Sequence, residues 1–204
     1  MENLINITND NIRYTSFISF LEKGYEGTNI RDICMKVNIK PSSLYFYYKS
    51  KQELFFSIYD DIWNDKIINI NNICNDDLEI NISPKMKLYR MYKKTIDFCI
   101  NNIVYEKFLL RYHLFPSEEI STVLRDRFKF WTNEENIIIL NIIDQCIDKN
   151  LLDDNRSPND YLQEYKRFES NQIIDMIISN IKKRPKDLDT LWNKFWNCNM
   201  MNMV

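Results

Sequence analysis

The chain has 204 residues, 45% apolar and 27% charged, with a net charge of −2, a balance that supports folded cores and excludes a disordered chain. Its longest apolar runs, such as 137–140, are broken within a few residues by Asn or Asp, far short of the roughly twenty residues a membrane span needs. The opening Met-Glu-Asn-Leu-Ile-Asn lacks the basic-then-apolar pattern of a secretory signal, so a cytoplasmic protein with no membrane partner is expected.

Residues 9–23 place Ile12, Phe17, Phe20 and Leu21 on one side at helical spacing, which predicts a first helix ending at Gly24. Both glycines of the chain, Gly24 and Gly27, fall in this turn, where freedom to adopt positive φ ends one helix and starts the next segment. Asn29 is placed to cap a short helix, Ile30–Val37, with an inward stripe of Ile30, Ile33, Cys34 and Val37. Asn38 follows as the residue for a left-handed turn, and Pro41 opens a two-turn helix over 41–48 in which Leu44 is the buried member. Two short helices across a four-residue turn make a helix-turn-helix. A fourth helix over 51–71 turns Leu54, Phe55, Ile58, Ile62 and Trp63 inward and leads out of the small domain.

After a polar connector, 72–83, helices are predicted at 84–102, 104–114, 117–150, 159–182 and 186–198, the third of them broken near Trp131. Pro84, Pro116, Pro158 and Pro185 each precede one of these patterns, as Pro41 does. No useful strand alternation occurs. The expected architecture is all-α: a helix-turn-helix domain over 1–50, a connecting helix over 51–71, and a larger helical regulatory and dimerisation domain over 72–204.

The stretch Gly24-Tyr-Glu-Gly-Thr28-Asn-Ile-Arg31-Asp-Ile33, followed by Val37-Asn-Ile-Lys40-Pro-Ser-Ser-Leu44-Tyr-Phe-Tyr-Tyr48-Lys-Ser-Lys51-Gln-Glu-Leu54-Phe55, resembles the DNA-binding domain of the TetR/AcrR family over about a quarter of the chain. Family members usually carry alanine where Cys34 stands and glycine where Asn38 stands; a small apolar thiol and a turn-tolerant asparagine preserve the fold. The resemblance implies a transcriptional regulator, most often a repressor, with double-stranded DNA as its partner. The residues agree independently. Between Arg31 and Lys51 five basic residues stand against one acid, a local charge of +4 inside an acidic chain. A helix seats its N-terminal residues against base edges in the major groove while flanking cations and hydroxyls hold phosphates. Ser42, Ser43, Tyr45 and Tyr47 are therefore the expected reading face, Pro41 a further DNA-binding residue, and Thr28, Arg31, Lys40, Tyr48 and Lys51 the expected phosphate contacts.

Two wide stripes near the C-terminus, Ile173, Ile174, Ile177 and Ile181, then Leu188, Leu191, Trp192 and Phe195, predict a two-fold four-helix homodimer interface, the arrangement the resemblance also implies. Between them and the small domain lies an aromatic-rich stretch. The resemblance implies that its side chains, taken as Tyr89, Tyr92, Phe98, Tyr105, Phe108, Tyr112, His113, Phe130 and Trp131, line a cavity for a small lipophilic effector that releases the operator. The alternative is a DNA-bound factor whose body docks a protein instead.

An enzyme is not expected, because the sequence has no glycine-rich phosphate loop, no nucleophile beside a base, and a single histidine. Five cysteines are scattered singly, without a Cys-x-x-Cys pair, so neither a metal nor another cofactor is expected.

Overall fold

A computed structural model of the chain describes residues 2–74, 82–180 and 187–200. Among these the elements are α1 (Glu2–Gly27), α2 (Ile30–Val37), α3 (Pro41–Tyr47), α4 (Lys51–Cys74), α5 (Pro84–Asn101), α6 (Ile103–Leu114), a 3-10 turn (Glu118–Ile120), α7 (Ser121–Asp148), α8 (Pro158–Ile178) and α9 (Leu188–Phe195), which runs on into a short π segment. No strand occurs, and no helix is long and apolar enough to cross a membrane, among the described residues. The all-α architecture is as expected. α1 starts earlier than its apolar stripe, and α7 passes through Trp131 without a break. Pro41, Pro84 and Pro158 each occupy the first turn of their helix, where the lost N–H would have been unpaired anyway. Ser157 and Asp160 cap α8 reciprocally. Pro185 and Ile181 lie outside the described residues.

The chain divides into two compact units, one of residues 1–64 and 107–127, the other of 65–106 and 128–204. The first therefore takes in residues 107–127, which the expected boundaries assigned to the regulatory domain. Its centre is Phe55, fully buried, with ring centroids 5.2 Å from Phe20, 5.4 Å from Tyr25, 5.7 Å from Phe108 and 4.7 Å from Tyr112. Such edge-on and tilted pairs are favoured by the ring quadrupoles. The Tyr112 hydroxyl donates to the Phe20 carbonyl at 2.9 Å and Arg111 donates to the Leu21 carbonyl at 3.2 Å. Both acceptors lie in the last turn before Gly24, where a helix has carbonyls to satisfy.

Gly24 interrupts α1 with φ 77° and ψ 175°, a conformation open to glycine and strained for any residue with a Cβ. A Cβ there would stand 2.9 Å from Arg111 Nη2. The guanidinium can swing away only by giving up the Leu21 carbonyl, and the φ strain stays. Gly24→Ala is expected to cost about 1–3 kcal/mol, read as a lower urea midpoint at unchanged slope; an unchanged midpoint would show that the turn relaxes freely.

The second unit is built on α5, α8 and α9. Tyr92 sits 4.8 Å from Phe168 and 5.8 Å from Trp192, and Phe168 stacks on Phe195 at 4.2 Å. Ile96, Ile139, Ile143 and Tyr161 fill the same core. Leu188, Trp192 and Phe195, expected at a dimer interface, belong instead to this core and are almost wholly buried. Their aromatic bulk is taken up by α5 and α8 of their own chain. Inside the unit lies a set of buried charges not anticipated from the sequence. Lys166 Nζ lies 2.5 Å from Glu135 and 3.2 Å from Glu169, and Lys66 Nζ lies 3.6 Å from Glu106. All but Lys166 are buried, and part of the sequence signal was there: Lys66 and Glu169 stand four residues after the buried Ile62 and Tyr165.

Candidate nucleic-acid interface

The helix-turn-helix is held by local chemistry that the sequence announces. The Asn29 side chain accepts from the Arg31 N–H at 2.8 Å, capping α2. Asn38 closes α2 at φ 57° and ψ 47°, its N–H bonded back to the last turn, so an asparagine does the work of the usual αL glycine. Ser50 Oγ then accepts from the Glu53 N–H at 3.0 Å while the Glu53 carboxylate accepts from the Lys49 N–H at 2.7 Å. Those two bonds start α4 immediately after the second short helix.

α3 turns Leu44 into the core with no exposed surface. At 100° per residue, Ser42 and Phe46 then point directly away from Leu44, with Ser43 and Tyr45 on the flanks. Pro41, Ser42, Ser43, Tyr45 and Phe46 are all exposed, whereas Tyr47 is half-buried. Phe46 is the most exposed large apolar side chain of the helix at 79%, although it lies outside the expected reading set because its apolarity argues for packing. Its ring lies edge-on to Tyr47 at 5.3 Å.

The expected phosphate contacts separate into two groups. Arg31 and Lys40 are exposed, as are Lys36 and Lys49, and Asp32, the single acid of the stretch, is paired with Lys23 at 3.6 Å. Thr28, Tyr48 and Lys51 are turned inward. The Thr28 hydroxyl is buried and donates to the Gly24 carbonyl at 2.7 Å. Tyr48 is buried with its hydroxyl donating to Asn9 at 2.7 Å. Lys51 Nζ donates to the carbonyls of Tyr25 and Thr28 at 3.0 and 3.3 Å and lies 4.3 Å over the Tyr25 ring. These three tie the short helices to α1 and the start of α4.

The residues expected to line an effector cavity are divided between the two units. Phe108 and Tyr112 are core residues of the first unit, where Phe108 also packs on Phe17 at 5.3 Å. Tyr89, Tyr92 and Phe98 belong to the second unit, and the first two pack on Trp192. His113 and Phe130 are exposed; Tyr105 and Trp131 are half-buried. On the expected interface stripe, Ile174 is exposed and Ile173, Ile177 and Leu191 half-buried, with Ile178 exposed beside them, while Leu191 borders a groove between α8 and α9 with Arg167, Asn171 and Lys194. Burial pushes the Cys99 and Cys146 thiols up to about 12, which holds them protonated and unreactive at neutral pH. No group of three or more potential metal ligands gathers among the described residues.

Residues 16–58 match the family model described as bacterial regulatory proteins, tetR family. The biofilm operon icaADBC HTH-type negative transcriptional regulator IcaR of Staphylococcus epidermidis is 40% identical over 55 residues, which are 27% of this chain and 30% of that protein. The chain thus matches under a third of the length of that curated relative. Along nearly its whole length it has the fold of two solved regulators. FadR from Bacillus subtilis, in complex with stearoyl-CoA, covers 95% of this chain and 98% of its own at TM-score 0.71 and 14% identity. A TetR transcription regulator from Haloarcula marismortui covers 96% and 100% at TM-score 0.72 and 13% identity. The helix-turn-helix segment, residues 16–58, thus carries the pattern of the tetR family of bacterial regulatory proteins, and the chain as a whole shares the fold of these solved regulators.

Proposed function

We propose that this regulator is a repressor that binds a near-palindromic operator as a homodimer and leaves it when a small lipophilic effector occupies its helical body. The observation that carries the DNA half is the outward face of α3, opposite Leu44, set in a stretch of charge +4 within a chain of net charge −2. The N-terminal residues of α3 meet base edges in the major groove, and Arg31 and Lys40 meet the flanking phosphates. Thr28, Tyr48 and Lys51 serve by holding this geometry. One short helix reads too few base pairs to find its site. Two copies related by a two-fold axis read successive major grooves about 34 Å apart, and the isoleucines left exposed on α8, with Leu191 on α9, supply apolar surface for that pairing.

Repression follows the role of the staphylococcal relative, a negative transcriptional regulator. The lipophilic effector follows the stearoyl-CoA bound to the Bacillus subtilis neighbour. To weaken operator binding a hundredfold, an effector has to favour the released state by about 2.7 kcal/mol.

Titration of the full-length protein onto duplex DNA at several salt concentrations tests the reading. Log affinity is expected to fall linearly with log salt. Arg31→Ala or Lys40→Ala is expected to flatten the slope by about 1 for each phosphate no longer neutralised, hence by about 2 in a dimer. A chain that stays a single copy at micromolar concentration, with no salt-sensitive affinity for any duplex, would refute it.

A further inference from the structure

We infer that operator selection rests on the C5-methyl groups of thymine, read by Phe46, an inference that rests on the DNA-binding reading above and assigns its base chemistry. The seven residues of α3, Pro-Ser-Ser-Leu-Tyr-Phe-Tyr, include no Arg, Lys, Asn, Gln, Asp or Glu. The bidentate pairs that identify guanine and adenine, and the carboxylate that accepts from cytosine N4, are therefore absent from the helix. What it turns outward is serine and tyrosine hydroxyls and one aromatic ring. Hydroxyls donate or accept as required and so tolerate every base pair. The ring has one distinctive partner in the major groove, the thymine methyl, which is the only apolar group any base edge offers there.

The geometry makes Phe46 the residue that reaches it. Leu44 has no exposed surface and fixes the rotation of α3, which sends Phe46 and Ser42, four residues apart, along the outward normal. Phe46 is 79% exposed against 49% for Tyr45, and the edge-on Tyr47 ring at 5.3 Å braces its side. The basic residues lie outside α3: Arg31 and Lys36 on α2, Lys40 before Pro41 and Lys49 after Tyr47. Charge thus surrounds an apolar tip, an arrangement that lets phosphates seat the helix while the tip discriminates.

The test uses the full-length protein and a duplex that it selects from a random pool. Thymines of the selected half-sites are replaced one by one with deoxyuridine, which deletes the methyl and keeps the pairing. One or two positions per half-site are expected to lose about fourfold in affinity, and roughly fifteenfold when both half-sites are changed, the scale of one buried methyl each. Phe46→Ala is expected to bind thymine and deoxyuridine operators equally, with affinity for random duplex, salt slope and melting temperature unchanged because the side chain packs on little; Phe46→Leu keeps part of the discrimination. Equal affinity of the wild-type protein for the two operators overturns this inference and leaves the regulator reading standing, as does deoxyuridine sensitivity that survives in Phe46→Ala. Failure to bind any duplex overturns both.

Discussion

Lys166→Met is expected to lower stability by roughly 3 kcal/mol at pH 7, the scale of breaking a buried ion pair by removing one partner. In a chain of this size that is a fall of about 10 °C in melting temperature. Lys166 holds Glu135 at 2.5 Å and Glu169 at 3.2 Å, and those carboxylates are only 1% and 3% exposed. Burial alone would push the Glu135 carboxyl up, but the charges of Lys166 and Lys66 and the Lys166 hydrogen bond outweigh it, so it lies below the usual carboxylate value. Burial also opposes the Lys166 ammonium, and Glu135 and Glu169 more than compensate, holding it above the usual lysine value. Without the lysine, two carboxylates remain in the core with Lys66, which already faces Glu106. Glu135→Gln added to Lys166→Met is expected to recover part of the loss, because an amide needs no countercharge.

The signs give a pH test of the same network. A carboxyl whose folded value is lowered stabilises above its unfolded value, about 4.3, and that contribution fades as pH falls through the folded value. The raised lysine stabilises below its unfolded value, about 10.4, and is lost only as pH rises through the folded one. The gap between wild type and Lys166→Met is thus widest near neutral pH and closes on acidification, starting where the variant's uncompensated carboxyls, which burial pushes up, take protons and finishing below about pH 4.3 as the wild-type carboxyl does. Urea midpoints across that range check it; a gap that persists at the acid end would assign the loss to packing rather than charge.

What the sequence makes legible here is whatever short-range rules decide. Asn29, Asn38 and Pro41 act through backbone groups within a few residues, so the bounds of α2 and α3 could be read almost residue by residue, whereas α8 ends four residues before its expected bound of 182. Gly24 likewise kinks α1 where its stripe ends, although the element runs on to Gly27. Contacts between distant segments were not legible. Tyr112 bonds the Phe20 carbonyl across 92 positions, and nothing in either neighbourhood signals that pairing, so residues 107–127 could not be joined to the small domain in advance. The same holds for Thr28, Tyr48 and Lys51, whose types suit phosphate contact and whose partners, Gly24, Asn9 and Tyr25, turn them inward. A stripe of Leu188, Trp192 and Phe195 states that a face is buried but not against which helix, and α5 and α8 of the same chain are what covers it. Phe46 errs in the other direction. Apolarity argued for burial, and only the rotation imposed by Leu44 shows the ring facing out.

Phe55→Ala tests whether that hidden joint supports the DNA-binding half. Phe55 touches α1 through Phe20, the turn after Gly24 through Tyr25, and α6 through Phe108 and Tyr112, so its loss opens a cavity where three segments meet. Truncating a wholly buried phenylalanine costs about 3–5 kcal/mol, and four ring contacts place the expectation at the upper end. Tyr25 is also the residue over which Lys51 lies and whose carbonyl Lys51 holds. Loosening it releases the start of α4 from the short helices, and α3 loses its fixed presentation. Operator affinity of the folded protein, measured well below its lowered melting temperature, is therefore expected to fall at least tenfold, while the salt slope stays near the wild-type value because Arg31 and Lys40 remain. Phe55→Leu, which refills most of the volume, is expected to restore most of both losses. A Phe55→Ala protein that melts within 2 °C of wild type would show that the joint closes over the gap; one that melts low yet binds its operator normally would show that α3 is held without it.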